Sequence, residues 1–384
     1  MQVSQDALAD RAAGCLIGSA VGDALGGPTE ERTPEEIRER YGGWVEGVVG
    51  PYFENWRTAR PLAPFHNGDG RFTDDTLMTQ ILIKTYLAKR DHLDAYDIER
   101  YLVPLTRESA WVPELDAQAP IFQRLWLAEK WLALRLQFGN NDPREAGVGN
   151  IVNCGAAMYM APVGIINAAN PAAAYAEAIE IAGAHQSSYG REAAGVFAAA
   201  VAAALMPDAS AESVVENCLR FARDGTRSAI EAVCNAAQSC RQWQEAIPKL
   251  RAAIAPYDTV GESFRNPDRN ARRPSRTHSI EELPVALGFL VVAQGAFEST
   301  VLGGVNYGRD SDSIAAMGGA LAGALGGLNC VPRTWHEAVT TGSRTDLLQP
   351  ALALADLARE VFVADQQRVQ AHAAAFSTLV QSGG

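Results

Sequence analysis

Oxygen-bearing side chains are concentrated in one short stretch of the sequence, where Asp310, Asp312 and Ser313 fall within four positions. Carboxylate and hydroxyl oxygens are hard ligands that suit Mg²⁺ or Ca²⁺, whereas a softer metal would favour thiolate or imidazole. The small residues of Ala315–Gly326 follow and predict a helix that packs closely against its neighbours. The same acids would also suit a helix N-terminus, where one side chain caps the backbone and another meets the helix dipole. A metal site and a capped helix fit this stretch alone equally well.

A second group of oxygen donors has a similar composition. Thr73, Asp74, Asp75 and Thr76 stand immediately before segment 77–90, whose apolar residues recur with the period of a helix. One hydroxyl or carboxylate is enough to cap a helix, so a cap does not account for two acids flanked by two threonines. We therefore interpret this stretch as a second set of hard metal ligands at the start of a helix.

Three further positions are candidates on weaker signals. Glu30 follows a Gly-Gly-Pro turn at the end of a helix predicted over residues 5–25, and by itself it fits a surface cap better than a site carboxylate. The Gly- and Asn-rich loop 150–155 could offer backbone amides to a phosphate, although one glycine-rich loop is a weak signal. His185 lies alone in a loop, where a histidine is more often incidental than catalytic.

Composition and charge limit the classes of function. Apolar residues make up 47% of the chain and charged residues 20%, as in a protein with a large core, and the net charge of −12 argues against a nucleic-acid partner. The apolar runs are shorter than the ~20 residues that span a bilayer, so we expect no membrane segment. The N-terminus lacks the features of a signal peptide, and the six cysteines have no close metal-type spacing. These features predict reduced thiols and a cytoplasmic protein.

The sequence predicts an all-α fold, because helical periods recur along the chain and no strand-like alternation is evident. Residues 94–136 are predicted to be helical, and residues 281–301 are predicted to form one buried helix. The tail, 345–380, is predicted to form one or two amphipathic helices.

The two acidic helix starts bear on domain organisation. They are separated by more than two hundred residues, and they must converge if they bind one pair of metal ions. We therefore predict that residues 1–384 form a single domain, although the length alone favours two or three. The Gly-, Pro- and aromatic-rich segment 41–69 and the arginine-rich segment 256–280 are predicted to be irregular insertions in that domain.

Taken together, these stretches resemble the ADP-ribosylglycohydrolase family, which includes the enzyme that removes ADP-ribose from dinitrogenase reductase. The resemblance covers roughly residues 12–327. It rests on five motifs: Gly22-Asp23-Ala24-Leu25-Gly26 with Glu30, Thr73-Asp74-Asp75-Thr76, Gly155-Ala156-Ala157-Met158 with Ala161-Pro162, His185, and Gly308-Arg309-Asp310-Ser311-Asp312-Ser313-Ile314. It implies a compact orthogonal multi-helix fold that carries two Mg²⁺ ions, with Mn²⁺ as an alternative.

The resemblance also implies roles for individual residues. The implied metal ligands are Thr73, Asp74, Asp75, Asp310, Asp312 and Ser313. The implied catalytic residues are Glu30 and Asp310. The implied substrate-binding residues are Asn153, Cys154, Gly155, His185, Tyr307, Gly308 and Arg309. In such a site the cations would bind vicinal ribose hydroxyls and acidify a water, while carboxylates stabilise an oxocarbenium-like transition state.

The chain departs from the family pattern at four positions. Ser313 and Arg309 replace a usual threonine and a common glycine, and Arg309 could pair with a phosphate or with Glu30. Cys154 and Tyr159 stand where many members have asparagine and arginine, in the region that lines the family's ligand cleft. Three functions therefore compete: a hydrolase that releases ADP-ribose from a protein side chain or a small molecule, a hydrolase of a smaller nucleoside or nucleotide, and a non-catalytic ADP-ribose-binding or structural protein. We adopt the first as the prediction.

Overall fold

Helices account for most of the chain in the computed structural model, which describes residues 6–59, 67–257 and 279–381. The helices of the first half are α1 Ala7–Gly26, α2 Pro34–Tyr41, α3 Trp56–Ala59, α4 Asp74–Lys89, α5 Ala95–Asp97, α6 Val103–Leu105, α7 Leu127–Gln137, α8 Ala161–Ile166 and α9 Pro171–Ala182. Those of the second half are α10 Ser188–Ala204, α11 Ala211–Phe221, α12 Asp224–Ala237, α13 Trp243–Ile254, α14 Ser279–Val292, α15 Phe297–Tyr307, α16 Ser311–Gly326, α17 Arg333–Ser343 and α18 Leu348–Gln381. The all-α prediction is confirmed, with a single small hairpin as the exception in these ranges.

The two most closely packed helices are α1 and α16, which run antiparallel through the centre of the fold. Gly14 faces Gly323 and Gly22 faces Ala315, so the residue order is opposite in the two helices. Nearly every residue of both helices is buried. This register brings the segment after α1 to the start of α16, and so places Glu30 beside the acids there.

Replacing Gly22 with alanine should lower the stability of the fold. The added Cβ would lie within 3.0 Å of the backbone carbonyl of Ala315, and neither helix backbone can move without displacing its neighbours. Overpacking of this kind typically costs about 1–3 kcal/mol of unfolding free energy. Gly50→Ala is the matched control, because its Cβ would meet only Asp69 Oδ1, at 3.8 Å. Urea unfolding should show a loss for Gly22→Ala alone, and equal stabilities would contradict this close packing.

A β-hairpin lies in the region 94–136, which the sequence predicted to be helical. Strand β1 (Ser109–Val112) pairs antiparallel with β2 (Ala117–Pro120). The turn between them contains Pro113, and Asp116 adopts a positive φ of 51°. Proline and aspartate favour turns over helix, so turn chemistry overrides the apolar spacing here and the helical prediction is wrong for the hairpin.

The helix predicted over residues 281–301 is interrupted. Helix α14 ends at Val292 and α15 begins at Phe297. Between them Gln294 and Gly295 adopt left-handed φ angles of 51° and 83°, which glycine tolerates without steric cost. The break turns the chain, so that α15 packs against both α14 and α16 and leads directly into the acidic turn.

One contiguous cluster of buried apolar side chains connects α1 with α18. We infer from this continuity that the chain forms one domain. All six cysteines are free thiols, and no helix in the described ranges is both long and apolar enough to cross a bilayer. The predicted insertion 41–69 includes the short helix α3, while its residues 60–66 and residues 258–278 of the arginine-rich segment lie outside the described residues.

Candidate active site

The N-terminal ends of α4 and α16 meet at one cleft, together with the turn after α1 and the loop before α8. Nine of the predicted site residues line this cleft: Glu30, Asp74, Asp75, Asn153, Cys154, Gly155, Asp310, Asp312 and Ser313. Three lining residues were not predicted: Trp126, Glu129 and Met158. The two acidic helix starts therefore converge, as a shared metal site requires.

Asp23 fixes the start of α4. This carboxylate, completely buried in α1, accepts hydrogen bonds from the backbone amides of Thr73 and Thr76, each at 2.9 Å, and from the Thr76 hydroxyl at 2.5 Å. Thr73 Oγ1 in turn accepts a hydrogen bond from the amide of Asp75 at 3.4 Å. Thr73 thus caps the helix directly before Asp74 and Asp75, which line the cleft.

Two backbone hydrogen bonds hold the segment of Glu30 against the start of α16. The amide that follows Glu30 donates to the carbonyl of Arg309 at 2.6 Å, and the amide of Arg309 donates to the carbonyl of Arg32 at 3.0 Å. Glu30 is only 3% exposed, so the surface-cap interpretation of this residue is wrong. Glu30, Asp310 and Asp312 each contribute one carboxylate oxygen to a group of three atoms that lie within 4.8 Å of one another.

Burial and mutual repulsion oppose the charged forms of two of these acids. Burial raises the pKa of Asp75 well above its usual range, and neighbouring acids, Asp23 foremost, raise it further. Burial likewise raises the pKa of Asp312, with Glu30 as the next largest cause. In both Asp75 and Asp312, Oδ1 is buried with no hydrogen-bond partner among the described residues. A hard divalent cation supplies positive charge and a bond to such oxygens, so the donor set fits Mg²⁺ or a similar ion.

Glu282 is a buried acid that sequence reasoning missed. It lies in the first turn of α14, and one of its oxygens is within 4.8 Å of Cys154 Sγ and of an Asp310 oxygen. The Cys154 thiol donates to Asp310 Oδ2 at 3.1 Å, and Sγ lies 3.2 Å from Ser313 Oγ. A signal was available in the sequence, because the pair Glu281-Glu282 begins an otherwise apolar helix, where buried acids need partners.

Three predicted substrate-binding residues are not among the residues that line the cleft. The Tyr307 hydroxyl and Arg309 Nε both donate to Glu281, at 2.7 and 2.9 Å. Gly308 has a φ of 72° and packs directly on the carbonyl of Arg32, where a Cβ would overlap it. These residues shape the turn before α16, and Arg309 pairs with an acid that the sequence did not suggest.

His185 is buried beneath the cleft and contacts it through Glu129. Its Nδ1 lies 3.1 Å from the Tyr159 hydroxyl, and its Nε2 lies 3.4 Å from Glu129 Oε1. Glu129 lines the cleft, and its Oε2 has no hydrogen-bond partner in the described ranges. His185 Nε2 makes no hydrogen bond among the described residues, so its contact with Glu129 is one of proximity alone, and Tyr159, at the family's arginine position, is the inner end of this buried row.

The loop 150–155 uses part of its hydrogen-bonding capacity within the protein. Asn153 Oδ1 accepts a hydrogen bond from the Gly155 amide at 2.9 Å, and Gln186 Oε1 accepts one from the Ala156 amide at 3.2 Å. The suggestion that the backbone of this loop meets a phosphate is therefore wrong for the Gly155 amide, because that donor is already satisfied.

The sequence model of the ADP-ribosylglycohydrolase family matches residues 4–369. The chain belongs to this family. A relative described as an uncharacterized protein of Archaeoglobus fulgidus is 29% identical over 329 residues, which cover 84% of this chain and 89% of that protein. The ADP-ribosylarginine hydrolase Tri1 of Pseudomonas putida is 26% identical over 86% of this chain and 74% of its own length. A solved structure of an ADP-ribosylglycohydrolase-related protein complex has a TM-score of 0.62 at 22% identity, covers 91% of this chain and 99% of that one, and confirms the fold.

Mg²⁺ should raise the melting temperature of this ADP-ribosylglycohydrolase family member, and the increase should grow with pH. Without a cation, the folded pKa values of Asp75 and Asp312 lie above the ordinary 3.8, so stability falls as pH rises from that value through the raised ones. An ion that binds only the folded, ionised site offsets this loss. At an ion concentration 100 times its Kd, it raises the free energy of unfolding by about 2.7 kcal/mol. Thermal unfolding with Mg²⁺ or with chelator, near pH 5 and near pH 8, measures the effect. If the melting curves with Mg²⁺ and with chelator coincide at both pH values, a preformed cation site is contradicted.

Proposed function

We propose that the chain is a divalent-metal-dependent hydrolase that cleaves the glycosidic bond between ADP-ribose, or a related ribosyl group, and a protein side chain or small molecule. The observation that carries this is the grouping of Glu30, Asp310 and Asp312 within 4.8 Å, beside unpartnered buried oxygens of Asp75 and Asp312. The residues that would hold two Mg²⁺ or Mn²⁺ ions are Thr73, Asp74, Asp75, Asp310, Asp312 and Ser313. When bound, such ions supply positive charge that binds ribose hydroxyls and lowers the pKa of a water.

In this proposal the protein itself supplies proton transfer and charge at the reacting carbon. Glu30 faces the two acids of the α16 turn and accepts the proton of the attacking water as general base. Asp310 shares the same small space, where its carboxylate stabilises the positive charge that develops on the ribose ring as the bond breaks. Trp126 and Met158 also line the cleft, where they offer an aromatic and a thioether surface to the rest of the ligand.

We infer that the preferred leaving group is cationic, with ADP-ribosylated arginine as the first candidate. Six carboxylates line the cleft, and its described lining contains no Lys or Arg. Against six negative charges, two divalent ions supply four positive ones, so an ionised lining stays negative and attracts a guanidinium group. The relative Tri1 is named as an ADP-ribosylarginine hydrolase, which agrees with this choice. A cytoplasmic location suits an intracellular ADP-ribosylated protein and stays a prediction.

A substrate panel tests the proposed activity. Purified protein with Mg²⁺ is incubated separately with ADP-ribosylated arginine, serine and DNA, O-acetyl-ADP-ribose and plain nucleosides, and the released ribosyl product is measured by chromatography. We expect ADP-ribose to be released from the arginine conjugate, and chelator to prevent this. Release from nucleosides alone would replace ADP-ribose in the proposal by a smaller ribosyl group. Calorimetric binding of ADP-ribose without release from any compound would overturn the hydrolase and favour a non-catalytic binder, to which the departures Cys154 and Tyr159 also point.

A further inference from the structure

The last part of helix α18 extends beyond the body of the fold. Asp365 lies 2.9 Å from His92, and Arg368 pairs with Asp91, so these contacts hold the helix against the body up to this point. Every residue from 366 to 381 is exposed, and the helix therefore continues for about four turns in solvent. The match to the family model ends at residue 369, so most of this exposed part lies beyond the region shared with the family.

Apolar residues recur every seven positions along α18, at Ala355, Phe362, Val369 and Phe376. Ala355 is completely buried in the body, whereas the other three are 60–62% exposed. The apolar face that packs on the body thus continues past it as an exposed stripe. We define the α18 stripe as Phe362, Val369, Phe376, Leu379 and Val380. A heptad repeat is the pattern by which one helix packs along another.

The α18 stripe is largely uncovered within the described part of one copy, which leaves the end of the helix weakly supported. Isolated helical segments of about 12–15 residues are marginal in water, and residues 369–381 form a segment of that size. Packing of an apolar face is the usual source of stability for such a segment. A second helix along the stripe would supply it.

We propose that the α18 stripe binds the same stripe of a second copy of this chain in an antiparallel, two-fold pair. The spacing is self-complementary, because Phe362 and Phe376 are equally far from Val369. About a two-fold axis at Val369, this residue faces itself, and Phe362 faces Phe376 of the second copy. A self-complementary interface of this kind closes as a dimer. The antiparallel direction also places the two bodies, each of net charge −12, at opposite ends of the pair.

The charge of the segment favours a second copy over other classes of partner. Residues 369–381 contain no Asp, Glu, Lys or Arg, so two copies meet there without like-charge repulsion. A helix that lies on a membrane surface typically carries Lys or Arg on its polar face, and a nucleic acid requires the same charges for its phosphates. The segment offers neither, whereas a second copy supplies an uncharged apolar helix of equal length.

The area of the stripe also suits a dimer. Its five side chains are 60–73% exposed. When they pair, together with the alanine and glutamine side chains beside them, they remove roughly 500 Å² per copy from water. A two-fold pair therefore buries about 1,000 Å² in total, which is the area from which specific interfaces are stable.

Sedimentation velocity of the full-length protein over a dilution series tests the dimer. We expect a species of twice the 41.0 kDa chain mass that dissociates on dilution. Phe376→Glu places a charge against Phe362 of the second copy and should weaken association at least about 30-fold. Ala374→Glu is the matched control, because it adds the same charge to the same exposed segment, about 200° around the helix, and it should leave association unchanged. A wild type that is monomeric throughout, or equal effects of the two variants, would overturn the dimer.

Disulfide formation tests the antiparallel direction. Val369→Cys places a thiol on the two-fold axis, so a mild oxidant should link two copies. Phe376→Cys should not link them, because residue 376 faces Phe362 of the second copy. The native cysteines are buried or half-buried, and oxidised wild type gives the baseline. Equal linking through residues 369 and 376 would overturn the antiparallel pair, and so would linking through neither.

Vesicle co-sedimentation tests the other occupant of the stripe. A monomeric wild type that binds vesicles of phosphatidylcholine and phosphatidylglycerol, and loses this binding in Phe376→Glu, would replace the dimer by a membrane contact. No residue of the α18 stripe lines the cleft, so failure of the dimer leaves the proposed hydrolase standing.

Discussion

Asp312→Asn should reduce turnover at least about 10²–10³-fold. Without cations, the variant should be as stable as the wild type or more stable. The loss of rate follows because the variant lacks a charge that would hold a cation at the ribose. The gain in stability follows because Asp312 is buried, has one oxygen without a hydrogen-bond partner in the described ranges, and is repelled first by Glu30 and then by Asp310. Asparagine keeps the volume and removes the charge, so both effects have one cause.

A buried acid that is fully hydrogen-bonded provides the contrast. Glu177 is 9% exposed, accepts hydrogen bonds from the Tyr86 hydroxyl, the Leu93 amide and Asn167 Nδ2 at 2.7–2.8 Å, and pairs with His92 Nδ1 at 2.6 Å. Glu177→Gln should therefore reduce the free energy of unfolding by roughly 1–3 kcal/mol, and so lower the melting temperature with or without Mg²⁺. Melting curves in chelator and in Mg²⁺, together with the rate of ADP-ribose release, measure both variants. A stability loss for Asp312→Asn equal to that of Glu177→Gln, or full activity, would remove Asp312 from the cation site.

Local signals explain why much of the site could be predicted. Hydroxyl and carboxylate residues at the helix starts form recognisable clusters in the sequence. Because two such starts must share cations, we predicted that α4 and α16 meet. The close approach of α1 to α16 was not predicted, although glycines at 14, 18 and 22 recur every four residues and permit such an approach. In each of these cases the chemistry and its position lie within one short segment.

The residues that were missed depend on partners distant in sequence. Glu129 and Glu282 lie in the first turns of α7 and α14, where an acid is normally a solvated residue that suits the helix dipole, and only the packing of these helices brings them to the cleft. Tyr307 and Arg309 adjoin the acidic turn in sequence, yet their side chains point to Glu281, because that buried acid needs donors. The family motif locates such residues near the site, but the direction of a side chain is decided by tertiary contacts.

Glu30→Gln should reduce turnover by about 10²–10⁴-fold, because glutamine keeps the shape and most of the hydrogen bonding of glutamate but cannot take up a proton. Ligand affinity should change little, since the cations and the ribose contacts remain. Glu30 is held rigidly for this role: it follows the Gly27–Thr29 turn, and the next backbone amide is bonded to Arg309 at 2.6 Å. Single-turnover release of ADP-ribose and calorimetric binding of ADP-ribose measure the two quantities separately.

Glu31→Gln is the matched control, because it makes the same chemical change one residue away, at an acid outside the described lining of the cleft that lies 3.9 Å from Arg32. It should leave both rate and affinity unchanged. If Glu30 were chiefly a metal ligand, Glu30→Gln would raise the Mg²⁺ concentration needed for activity, and saturating Mg²⁺ would restore the rate. A rate that stays low at saturating Mg²⁺, with ADP-ribose binding intact, identifies proton transfer as the lost step, because positioning and charge are then both in place.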